Sequence, residues 1–164
     1  MHKFISNVAL FFVISGLVVL QGCGGNSLGT VPVSGTVTLD GNSISGVTVS
    51  FAPTGTEGRE AYGTTDTGGR FVLTVPGTTT GSGTVPAEYR VTFSKMSDPL
   101  EGVDTSGMDS DEADAEIRRR FPRGLPVAVS LIPDKYSDRT ATDIAPVTVE
   151  RRGKNNFTFE LKSQ

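Results

Sequence analysis

The stretch "VSGTVTLDGNSISGVTVSFAP", residues 33–53, decides the fold. Val33, Gly35, Val37 and Leu39 fall on one face, and Ser34, Thr36, Thr38 and Asp40 on the other. Successive side chains of an extended chain point to opposite faces, so an apolar residue at every second position makes a strand with one buried face. After Asp40-Gly41 the alternation resumes, with Val47, Val49 and Phe51 set against Thr48 and Ser50. Asp-Gly is a strong hairpin signal, because both residues tolerate the positive φ that a two-residue turn demands.

Outward from this stretch the same period recurs. "RFVLTV" carries Phe71, Leu73 and Val75; "EYRVTFSK" carries Tyr89, Val91 and Phe93. "APVTVERR" carries Val147 and Val149, and "NNFTFELK" carries Phe157, Phe159 and Leu161. Turn signals separate the runs: Asp66 with Gly68-Gly69, "RRGKNNF" between the last two, and "VPGTTTGSGTVPAEY", which reads as a solvated, mobile connection. Many short strands with a turn every 8–12 residues predict an all-β sandwich over residues 31–164.

Residues 97–126 break the alternation and read as a charged insertion. Eight acidic residues and no basic ones lie between Asp98 and Glu116, and Arg118, Arg119, Arg120 and Arg123 follow. "SDEADAEIRRRF" predicts a short helix capped by Ser110, with acids in its first turn and arginines in its last, the order that suits the helix dipole. Glu116–Arg120 and Asp114–Arg118 have the i,i+4 spacing of favourable pairs. Met108, Ile117 and Phe121 are the insertion's main candidates for burial.

The amino-terminal end carries an address. His2 and Lys3 precede an apolar run whose densest part, Val8–Leu20, has 13 residues. As a helix it would span about 20 Å, short of the roughly 30 Å of bilayer hydrocarbon and suited to a signal-peptide core. Leu20-Gln21-Gly22-Cys23 resembles the bacterial lipobox, and Cys23 is the sole cysteine. The resemblance implies a signal peptide over 1–22, cleavage between Gly22 and Cys23, a diacylglyceryl group on the Cys23 sulfur, and acylation of the new amino terminus. Two or three acyl chains hold a protein stably on a membrane where one does not. Residues 23–30 then form a flexible tether. The expected location is the cell envelope, at the outer membrane or the periplasmic face of the inner membrane; Gly24, where an Asp often retains a lipoprotein at the inner membrane, permits export.

Without its signal the chain keeps 14 Lys and Arg against 18 Asp and Glu, a formal charge of −4, and has neither His nor Trp. A mildly acidic chain is no nucleic-acid binder by bulk charge. Without His or a free Cys there is no Ser-His-Asp or Cys-His nucleophile and no His/Cys metal site. No phosphate-cradling glycine loop lies between a strand and a helix. A carboxylate-pair hydrolase is left open by these absences, but glycan-active sites usually offer aromatic platforms and the chain has no Trp and three Tyr, so the expectation is a non-enzyme with no catalytic residues and no cofactor. Asp104, Asp109, Asp111, Glu112 and Asp114 offer hard oxygen ligands for Ca²⁺, but "DSDEADAEI" lacks the glycine and the terminal glutamate of an EF-hand loop, so they are weak metal candidates in a solvated loop. Arg118–Arg120 are expected to pair with neighbouring acids rather than with lipid or polysaccharide. Tyr89 and Tyr136 are expected to pack at sheet edges with their hydroxyls on backbone carbonyls rather than to line a pocket.

Several stretches taken together resemble the carboxypeptidase-regulatory-like, or transthyretin-like, β-sandwich domains, and more narrowly the small lipoproteins of this type in planctomycete bacteria. They are "VSGTVTLDGNSISGVTVSFAP", "GTTDTGGRFVLTV", "PAEYRVTFSK", "IPDKYSDRTATD" and "NNFTFEL", in the family's order, and they cover most of residues 31–162. The resemblance implies a single seven-stranded Greek-key sandwich with one long, partly helical insertion. It also implies an accessory, adhesive or scaffolding module with no catalytic residue to carry over. The expected function is a lipid-anchored, non-enzymatic structural or binding module, held to the membrane through Cys23, with an envelope protein or polysaccharide as a further partner. The alternative is a carbohydrate- or Ca²⁺-binding accessory module that serves a separate envelope enzyme.

Overall fold

A computed structural model describes residues 28–164. Residues 1–22, read as a signal peptide, and Cys23 lie outside the described residues. Eight strands and one helix follow one another: β1 (Val33–Leu39), β2 (Asn42–Ser43), β3 (Thr48–Pro53), β4 (Ala61–Thr64), β5 (Arg70–Val72), β6 (Ala87–Ser94), α1 (Ser110–Arg120), β7 (Val147–Val149) and β8 (Asn155–Leu161). All six alternating runs contribute a strand. In the first sheet β2 and β5 pair antiparallel with β1, and β8 runs parallel to it along its whole length, from Val33↔Asn155 to Leu39↔Leu161. The second sheet has the order β4-β3-β6-β7. Asp40-Gly41 forms the two-residue turn between β1 and β2, with φ of 51° and 81° at the two residues, so the hairpin falls where the sequence signals it.

The buried faces of the two sheets meet in one core. Phe71, Phe157 and Phe159 come from the first sheet and Phe51, Tyr89 and Phe93 from the second. Phe51 has ring centroids 5.8–6.4 Å from Phe71, Tyr89, Phe157 and Phe159. Phe159 meets Phe93 edge-on at 5.0 Å. Val33, Val37, Val47, Val49, Leu73, Val91, Val149 and Leu161 fill the remainder. Such rings bury large apolar areas and add edge-to-face attraction to it.

Two features depart from the sequence reading. β4 has no alternation to announce it: Tyr62 is exposed and Gly63 has no side chain. It is a strand because β3 offers it a free edge, with Phe51↔Ala61 in register, and because Tyr62 and Thr74 exchange backbone bonds that link the two sheets. The Gly/Thr/Pro-rich connection between β5 and β6 is pinned rather than free. Val31 and Thr84 exchange backbone bonds, Gly83 N donates to Leu73 O, and Gly81 N donates to the Thr74 hydroxyl. Thr84 is wholly buried and its hydroxyl donates to Arg59 O. Small polar side chains take up the backbone bonds that an extended loop would leave to water.

The insertion hangs outside the core. Helix α1 starts one residue earlier than its sequence reading: the N-cap is Asp109, not Ser110. The Asp109 carboxylate accepts from Glu112 N at 2.9 Å and the Glu112 carboxylate accepts from Asp109 N, a reciprocal capping box. The favourable pair at the carboxyl end is also shifted. Both Glu116 oxygens go to Arg119, at 2.8 Å each, so Glu116–Arg120 does not form, while Asp114–Arg118 sits at 4.0 Å. No residue of α1 is buried; Met108 is exposed, and Ile117 and Phe121 are only half-buried. The two roots of the insertion are held together by Leu131 N to Lys95 O and Ser97 N to Val129 O.

Because the roots bond to each other, the insertion is thermodynamically separable. Loop-closure entropy changes by only about 0.6 kcal/mol per doubling of loop length. Replacing residues 99–122 with a short Gly/Ser linker is therefore expected to leave the stability measured by urea titration within about 1 kcal/mol of wild type. A loss comparable to that of a truncated core phenylalanine would place the segment in the core.

Candidate functional site

The residues singled out by sequence lie in separate places. Cys23 and Gly22 precede the described chain. Leu28, inside the stretch read as tether, already packs against the core, and Val31 is bonded to Thr84. Residues 28–31 thus belong to the folded body rather than to a tether.

All the acidic candidates but Asp111 are occupied locally. Asp104 accepts from Ser106 N at 2.9 Å, and bonds from the Ser106 backbone and side chain hold its carboxyl below the usual range. Asp109 caps α1, Asp111 stands exposed in the first turn, and Asp114 faces Arg118. Glu116 is likewise held low, chiefly by the Arg119 hydrogen bond. Among the described residues no three His, Cys, Asp or Glu side chains form a group able to hold a metal ion. Hard cations need six or more converging oxygens. Titration calorimetry of the whole chain with Ca²⁺ is therefore expected to find no site tighter than about 1 mM; a saturable micromolar site would contradict this geometry.

Tyr89 and Tyr136 are buried in the core rather than at sheet edges. The Tyr89 hydroxyl donates to Val85 O at 2.7 Å, as expected, and also accepts from Arg59 N. The Tyr136 hydroxyl differs: it accepts from Lys162 N at 2.9 Å and so ties the 3₁₀ turn Asp134–Tyr136 to the end of β8. A buried phenol needs a partner, and at the end of β8 this one finds a backbone donor.

One charged cluster has no sequence signal. Arg139 reaches Glu60 at 2.7 Å, 79 residues away, and the Tyr62 hydroxyl donates to the other Glu60 oxygen at 2.7 Å. The Tyr62 bond and then the Arg139 guanidinium hold Glu60 below the ordinary carboxylate range. Arg139 also borders an open groove of about 480 Å³ with Ala52, Pro53, Thr54, Arg90 and Thr140. The cluster ties the 137–146 loop to β4. It brings no nucleophile and base together.

Among the described residues no helix is long and apolar enough to cross a membrane. Compared with family models, curated proteins and solved structures, the chain gives no match.

Proposed function

We propose that this chain is a lipid-anchored cell-envelope protein, a non-enzymatic module that works by binding or by structural support. The observation that carries the reading is Leu20-Gln21-Gly22-Cys23, which begins at the last residue of a 13-residue apolar core and holds the chain's sole cysteine. The lipidated sulfur would fasten a folded domain that starts only a few residues later. The two facing sheets support the finer reading of a transthyretin-like Greek-key sandwich, since seven strands of three or more residues remain when the two-residue β2 is set aside. Of the acidic side chains singled out by sequence, Asp104 closes a turn, Asp109 caps α1 and Asp114 faces Arg118.

Mass spectrometry of the protein isolated from a bacterial envelope tests the anchor. The wild-type chain is expected to begin at Cys23 and to carry acyl mass there. Cys23→Ser is expected to accumulate as an unprocessed, unlipidated precursor. A wild-type protein with an unmodified Cys23 would end the proposal.

A further inference from the structure

The turn between β7 and β8, "ERRGKN", residues 150–155, packs three cations into four positions: Arg151, Arg152 and Lys154. All three are exposed. Among the described residues none of them makes an ion pair or a side-chain hydrogen bond. Glu150 is the one acidic side chain of the turn, and its carboxylate lies beside Gly153. In an acidic chain this is a concentration of unneutralised positive charge.

Its position follows from strand pairing. β8 enters the first sheet in parallel register with β1, Asn155 opposite Val33. The basic turn is thereby set against the point where the chain enters the domain. Arg151 and Lys154 line one open groove of about 460 Å³ together with Val31, Pro32 and Asn156. The acidic insertion leaves from the opposite end of the molecule. β6 starts at Ala87, paired with Val149 next to the basic turn, and its eight residues carry the chain about 23 Å away before the insertion begins. The basic turn and the roots of the acidic insertion thus stand at opposite ends of β6, and the turn's three cations share their end with Glu57, Glu60 and Glu88.

We propose that the Arg151–Lys154 turn is a docking surface for anionic phospholipid headgroups, which stands the domain on the membrane with the roots of its insertion at the far end of β6. The proposal rests on the lipid-anchor reading. Only five positions separate Cys23 from Leu28, at most about 18 Å of extended chain. The groove is therefore held near the headgroups whenever the anchor is inserted. A Lys or Arg at an anionic bilayer surface tightens association by about fivefold, so three cations supply up to about 100-fold before Glu150 subtracts its share. The attraction is confined to roughly 8 Å at physiological salt, which is why the short link matters.

The full-length protein, purified from bacterial membranes, is reconstituted on vesicles of pure phosphatidylcholine or of phosphatidylcholine with about one third phosphatidylglycerol. Labelling of Lys154 by a membrane-impermeant amine reagent is followed by mass spectrometry, with Lys95 at the far end as internal control. On the anionic vesicles Lys154 is expected to label about fivefold more slowly than on neutral ones, with Lys95 unchanged. Arg151→Gln with Arg152→Gln, or about 0.5 M NaCl, is expected to remove the difference. Protein held by both vesicles with equal Lys154 labelling would overturn the docking surface and leave the anchor standing. Protein held by anionic vesicles and washed off neutral ones would support the surface and refute the anchor. Protein held by neither would overturn both. Stronger Lys154 protection by heparin in vesicle-free solution than by anionic vesicles would overturn the lipid assignment in favour of an anionic glycan.

Discussion

Phe159→Ala is expected to remove about 3–5 kcal/mol of stability, a large share of the roughly 5–15 kcal/mol available to a domain. Phe159 is only 5% exposed and touches rings from both sheets: Phe51, Phe71, Phe93 and Phe157 lie with centroids 5.0–6.3 Å from its own. Truncation leaves a void bounded by four rigid rings, each carried on a hydrogen-bonded strand, so the site cannot collapse around the loss. The cost then includes the cavity as well as the transfer of the ring. At the size of this domain it corresponds to a drop of roughly 10–20 °C in melting temperature. Phe157→Ala serves as the comparison. Phe157 is half-buried on the same strand, so its loss is expected to be clearly smaller. Urea melts of the two variants decide the matter; equal costs would mean that the core is not centred on Phe159.

Gly83→Ala is expected to be nearly as damaging, for a different reason. Gly83 has φ of 75°, and a Cβ at that position would collide with the carbonyl oxygen of Val31. That carbonyl accepts from Thr84 N, and Gly83 N donates to Leu73 O. Relieving the collision means unseating Thr84, whose hydroxyl is shared between Arg59 O and the Tyr89 hydroxyl. The left-handed backbone costs a non-glycine residue about 1–3 kcal/mol, and overpacking adds about 1–3 more. Gly77→Ala separates the two contributions: Gly77 has φ of 80° with open space around it, so it incurs the backbone cost alone. Identical losses at Gly77 and Gly83 in urea titration would remove the close approach of Val31 as the cause.

The helix cap is legible in the sequence one residue before Ser110. Asp109-x-x-Glu112 is a complete capping box, and the reciprocal bonds it makes outweigh the preference for serine at a cap. The exposed alternation of Leu125, Val127, Val129 and Leu131 shows the opposite case. Period two names a face; it does not say whether anything covers it. The Glu60–Arg139 tie joins residues too far apart in the chain for any local pattern to connect them.

The sequence by itself determined the alternating strands, the Asp40-Gly41 turn, the helical insertion and the all-β class. Each of these follows from side-chain direction or backbone preference within a few residues, which is a local matter. Only the tertiary structure decided that the last strand lies parallel to the first, that β4 exists, and that the β5–β6 connection is pinned by Thr84. It also decided that a basic turn at residues 151–154 meets Val31 and Pro32, where the chain enters the first sheet. Hydrophobic alternation tells a strand which face to bury. Which edge it joins, and in which direction, is set by competition among all strands for one shared core and for the backbone donors and acceptors that core leaves unpaired.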